Sequence, residues 1–174
     1  HLVREFFGPS TDRNQFLVYV DLPAGYRLES TNETVQGLNA WLSDPEINPE
    51  ITDTVAYVGF GGPRFFLVLS PVQPNPHVAF LVVSTEEAEQ VPEVMRRLRL
   101  HFLDEIPEAA GRIKQMWLGS SEPGFVEVRL IGPDTEVLYE KGSRLVDALR
   151  AMPGSLDVRN DWENKALRAT IVVD

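Results

Sequence analysis

Apolar side chains recur along this chain with two different periods, and the changes of period divide it into elements. Phe16-Leu17-Val18-Tyr19-Val20 is a β-rich run closed by the turn residues Leu22-Pro23-Ala24-Gly25, which predicts a first strand. Ser30 and Glu33 then have capping-box spacing, and Val35, Leu38 and Leu42 fall on one helical face. The predicted helix runs to about Ser43, where Pro45 and Pro49 stop it. Ile51 to Val58 predicts a second strand and Phe65 to Leu69 a third, paired as a hairpin across Gly59-Phe60-Gly61-Gly62-Pro63-Arg64. Val78 to Val83, rich in valine, adds a strand or extends that pairing. After an acidic turn (Glu86, Glu87, Glu89), Pro92 suits the first helical position, and Val91, Met95, Leu98, Phe102 and Ile106 follow a 3.6-residue stripe. Arg112 to Leu118 reads as the next strand.

Gly119 to Gly124 is a linker by composition, and the pattern restarts beyond it. Val126, Val128 and Leu130 alternate with polar residues as in a half-buried strand; Leu138, Leu145, Leu149 and Met152 form a helical stripe ended by Pro153-Gly154. Leu156 and Val158 predict a short strand, and Leu167, Ala169, Ile171 and Val173 a longer one. The order is βαββαβ followed by βαββ. It predicts an α+β protein: a ferredoxin-like βαββαβ sandwich over residues 5–118, then an incomplete βαββ unit over 122–174.

Composition narrows the function classes. Across 174 residues, 26 acidic side chains outnumber 16 basic ones for a net charge of -10. That field repels phosphate backbones and anionic lipid headgroups, which argues against nucleic acid as a partner. The chain has no cysteine, which excludes disulfides and thiolate chemistry, and no apolar run approaches the roughly 20 residues of a membrane span. It begins at His1 and ends just after Ile171-Val172-Val173, as expected of a piece of a longer protein.

Catalytic and metal chemistry find little purchase. His1, His77 and His101 are too scattered to make a ligand pair, and His101 is expected to be solvated on the Arg-rich side of its helix. Asp104 and Glu105 are adjacent on a helix and diverge, which suits a solvated face rather than an acid/base couple. No Gly-x-Ser-x-Gly elbow is present. The expectation is a non-enzyme without metal or cofactor. The loop Gly59 to Arg64 offers backbone N–H groups, but no Gly-Lys-Ser/Thr follows and a strand rather than a helix comes next. Its distinction is its neighbours: Tyr57, Phe60, Phe65 and Phe66 crowd aromatics around flexible glycines, an arrangement suited to apolar ligands.

Several local signatures coincide in order along the chain. Phe6-Phe7-Gly8-Pro9-Ser10-Thr11-Asp12-Arg13-Asn14-Gln15-Phe16 and Val20-Asp21-Leu22-Pro23-Ala24-Gly25 resemble the segment after the seventh transmembrane helix of resistance-nodulation-division (RND) multidrug efflux permeases, the acriflavine-resistance family. Thr54 to Gly62 is similar to that family's strand entering a glycine- and phenylalanine-rich switch loop, and Val158-Arg159-Asn160-Asp161-Trp162 to the strand pair opening the next porter subdomain. The resemblance implies a first porter subdomain at 5–118 and the beginning of a second at 122–174, in the periplasmic portion of a bacterial inner-membrane protein. It implies passage of amphiphilic drugs or other toxic small molecules. It also implies a homotrimer working with a periplasmic adaptor and an outer-membrane channel, the proton relay lying elsewhere in the permease. Carried over by position, Gly59, Phe60, Gly61, Gly62, Pro63 and Arg64 are the switch loop, and Tyr57, Phe60 and Phe66 are pocket aromatics. The loop is shorter than in the best-known drug pumps, and Pro63 stiffens it. Met95, Met116 and Met152 are expected in core stripes or strand packing, which disfavours the methionine-dependent metal exporters. The competing expectation is a free-standing ferredoxin-like domain that binds a small ligand or regulates, with the same loop as its site. A small hydrolase with Arg64 holding an anion is a third, and lacks a catalytic partner.

Overall fold

Phe16, Val18 and Val20 point to one side of their strand and Leu17 and Tyr19 to the other, yet all five are buried, so this strand lies inside a sheet with both faces covered. The computed structural model describes residues 13–64, 73–116, 126–155, 158–160 and 162. The chain divides into two compact units, His1–Glu122 and Pro123–Asp174.

In the first unit the elements are β1 (Gln15–Asp21), α1 (Leu28–Leu42), β2 (Ile51–Val58), β3 (Val78–Thr85), α2 (Val91–Glu105) and β4 (Ala110–Gln115), with a single 3₁₀ turn at Ala88–Gln90. The sheet order is β2-β3-β1-β4, every neighbour antiparallel. With the two helices after β1 and β3, this is the ferredoxin-like βαββαβ arrangement predicted from the sequence. The main core lies between sheet and helices. Phe16, Val18, Val20, Leu81, Val83 and Ile113 meet Val35, Leu38 and Leu42 of α1 and Val91, Met95, Leu98 and Phe102 of α2, with Ile106 just beyond it. Each fully buried large apolar side chain contributes roughly 1.5–3 kcal/mol relative to exposure.

Several expectations are corrected. Among the described residues the partner of β2 is β3, with Tyr57 opposite Phe80 and Val58 opposite Ala79; Phe65 to Leu69, the expected hairpin partner, lies outside the described residues. Val78 to Val83 takes the central place because its uninterrupted apolar run suits a strand buried on both faces. Helix α1 starts at Leu28, so Ser30 and Glu33 lie inside it and no side chain caps it; Thr31 Oγ1 instead donates to the carbonyl of Pro76 at 2.7 Å. A capping box does form at Glu87, whose backbone N–H donates to Gln90 Oε1 at 2.8 Å. Strand β4 ends at Gln115.

In the second unit the described regular element is α3 (Thr135–Arg150), capped by Asp134, whose carboxylate accepts from the N–H groups of Glu136 and Val137 at 2.9 and 3.1 Å. Residues 126–130, predicted as a strand, are exposed and are not in a strand. Val158 likewise is not in a strand, while Leu156 and Leu167 to Val173 lie outside the described residues. Among the described residues no helix is long and apolar enough to cross a membrane.

Candidate functional site

The sheet face away from the helices carries a second apolar cluster, and its centre is a row of side chains in strict cross-strand register. Arg112 of β4 stands opposite Tyr19 of β1, Tyr19 opposite Phe80 of β3, and Phe80 opposite Tyr57 of β2. Residues paired directly across strands bring their side chains together, so the row is continuous. The Arg112 guanidinium lies 4.4 Å from the Tyr19 ring centroid, the Tyr19 and Phe80 centroids are 5.0 Å apart, and those of Phe80 and Tyr57 are 6.2 Å apart. Leu17, Met116 and Val82 flank the row. At its β4 end, Arg112 Nε and Nη2 both donate to Asp21 Oδ2 at 3.2 Å, and the arginine side chain is only 12% exposed. Its charge is thus matched by a carboxylate and an aromatic face.

At the β2 end the row runs into the loop singled out by sequence. Gly59 takes φ +80°, a backbone region costly for residues with a Cβ, and a Cβ there would lie 2.7 Å from Leu28 Cδ1 of α1. Its N–H donates to the carbonyl of Val78 at 2.8 Å, and its own carbonyl accepts from the N–H of Asn75 at 2.9 Å. These two bonds clasp the base of the connection between β2 and β3. Beyond the clasp, Phe60 is 42% exposed and meets the Tyr57 ring edge-on, centroids 5.5 Å apart at 75°. Gly61 and Gly62 turn inward and are buried, whereas Pro63 and Arg64 are exposed.

The structure therefore brings Tyr57, Phe60, Gly59, Gly61 and Gly62 together; Phe66 lies outside the described residues. Tyr19, Phe80 and Arg112 were missed by sequence reasoning. The available signal was that Phe16 to Val20 and Val78 to Val83 are apolar on both alternating faces, so a second covered face with its own occupants had to exist. With Phe80 fully buried and Tyr19 nearly so, the accessible part of the row is its Phe60 and Tyr57 end, and the rest backs it. Chemically it offers aromatic faces and apolar edges.

His101, expected to be solvated, instead stacks on Trp41 of α1, centroids 4.1 Å apart and planes within 10°. Burial pushes its imidazole below the ordinary value, opposed by the charges of Glu105 and Asp104. It borders a shallow cavity of about 300 Å³ that also takes in Glu33, Glu105 and Glu108. A second cavity, of about 240 Å³, lies in the second unit against Leu130, Pro133, Val137 and Lys141. Among the described residues no cluster of histidine and acidic side chains is arranged to hold a metal ion.

No family model matches the chain, and no curated protein matches it. Among solved structures, one similar chain is that of a heavy metal efflux pump (crystal form II), with a TM-score of 0.43 and 17% identity over 66% of this chain. The present chain spans 12% of the length of that pump.

Proposed function

We infer that this chain is a periplasmic porter piece of a proton-driven RND efflux permease, non-enzymatic, along which amphiphilic drugs or other toxic compounds pass. The observation that carries the reading is the loop Gly59 to Arg64 placed at the end of a rigid aromatic row, presenting Phe60 to solvent beside Tyr57. An aromatic surface admits apolar molecules of varied shape, which suits an exporter of many compounds. The ordered sequence signatures from Phe6 to Trp162 support the same family. In that setting the permease is a homotrimer in the inner membrane, coupled to a periplasmic adaptor and an outer-membrane channel.

The test is made in the full reading frame that contains this chain. Long apolar helices are expected on both sides of it. Phe60→Ala in the complete permease, expressed in a drug-sensitive bacterium, is expected to change which compounds are tolerated at unchanged protein abundance. Unaltered tolerance for every compound tried would remove the loop from the transport path. A second reading, a free-standing small-ligand-binding or regulatory domain, is favoured by one observation: the first unit contains a whole βαββαβ sheet with its helices. Flanking sequence without apolar helices would select it.

A further inference from the structure

Gly62 has no side chain to place between its backbone and Tyr57. A Cβ on Gly62 would lie 2.9, 3.0 and 3.1 Å from Cδ2, Cε2 and Cγ of that ring. Near-equal distances to three consecutive ring atoms put it over the ring face rather than beside its edge. Gly62 is buried, at φ +68°, while Phe60 approaches the same ring edge-on. The loop thus wraps one aromatic side chain from two directions, with only a bare Cα over its face.

We propose that Tyr57 is the positioning residue of this loop, its ring face the seat on which Gly62 docks. The seat is firm because Tyr57 stands in register against Phe80, which is fully buried in the row behind it. The clasp at Gly59 holds the loop base through Val78 and Asn75, so the seat governs the residues beyond Gly59 and not the pairing of β2 with β3. Every residue with a Cβ at 62 would press it into the Tyr57 ring, at a φ that most side chains disfavour, and the seat is lost. One consequence rests on the porter reading above: a planar apolar molecule that stacks on the Tyr57 face under Gly62 must displace that glycine, which makes the loop the competing occupant of that ring face.

The Gly62 α-proton that points at the ring lies in its shielding zone. Two-dimensional proton–carbon spectra of the 174-residue chain are therefore expected to show one Gly62 α-proton well upfield of the ordinary glycine range and widely split from its geminal partner. Tyr57→Leu is expected to collapse that splitting, and Tyr57→Phe, which keeps the ring atoms that make the contact, to preserve it. An ordinary Gly62 pair in the wild-type chain overturns the proposal without any variant, so a Tyr57→Leu chain that fails to fold does not shelter it. Titration with Nile red, a planar neutral dye, separates the two claims. A Gly62 pair that moves back to ordinary positions as dye binds supports the competition. No binding, or a Gly62 pair still shielded at dye saturation, overturns the cargo consequence and leaves the seat standing.

Discussion

At Gly111 in β4 a Cβ would meet Cδ1 and Cγ of Phe102 at 2.6 Å and Cδ2 at 2.8 Å, and Phe102 is locked in the main core. Gly111→Ala is expected to destabilise the first unit by about 1–3 kcal/mol, the usual cost of overpacking, read as a lower urea midpoint at unchanged slope. A polar counterpart ties α2 to the turn before β2. Arg97 donates to both carboxylate oxygens of Glu50 at 2.8 and 3.3 Å and to Asn48 Oδ1 at 3.1 Å, while Asn48 Nδ2 donates to the carbonyl of Trp41 at 2.7 Å. The Arg97 hydrogen bond holds the Glu50 carboxyl below its ordinary value of 4.5. That contribution is whole above pH 4.5 and is lost as pH falls through the lowered folded value. Arg97→Met is expected to cost about 1–3 kcal/mol at neutral pH and progressively less in acid, seen by urea titration at several pH values. His101 acts in a higher window. Its neutral form is favoured by folding, so its contribution is present above 6.5 and declines as pH falls below it; His101→Gln is expected to flatten the stability curve there. Neither partnership was legible in advance, because Arg97 and Glu50 are 47 residues apart and nothing local marks Trp41 as the neighbour of His101.

At the scale of elements, helices were legible where a stripe met a core. Every residue of the predicted α2 stripe from Val91 to Ile106 is buried, as are Val35, Leu38 and Leu42 of α1. Helix ends were less so, since Ser30 with Glu33 satisfies a capping pattern that the chain overruns by starting at Leu28. In α3 the reverse holds: none of its described residues is fully buried, so local terms carry more of its stability. Asp134→Ala removes the acceptor of two backbone N–H bonds and is expected to cost that helix about 1 kcal/mol, visible as faster amide exchange across its first turn in the intact chain. The strands divide in the same way. Both faces of β1 and β3 are buried, and their apolar runs announce it; that β3 pairs with both β1 and β2 depends on long-range pairing that no local pattern encodes.

Across the whole molecule, the two units differ in what holds them. Among the described residues, the first has a sheet covered on both faces, the second a helix with half-buried apolar positions and exposed Val126, Ile131 and Met152. Amides in β1 and β3 are therefore expected to exchange more slowly than those of α3 by orders of magnitude in one sample; equal protection would mean that the second unit is as cooperative as the first. The sequence by itself determined the element order of the first unit, its fold class, the two helical stripes and the glycine loop with Tyr57 and Phe60 beside it. Periodicity, turn residues and residue type are local properties, and they carry that far. Only the tertiary structure decided that β3 sits between β1 and β2, that Arg112, Tyr19, Phe80 and Tyr57 fall in one row, and that Gly62 lies on the Tyr57 ring. Register across strands is chosen by the burial of both faces at once, a sum over residues far apart in the chain, and that sum exists only when the sheet is assembled.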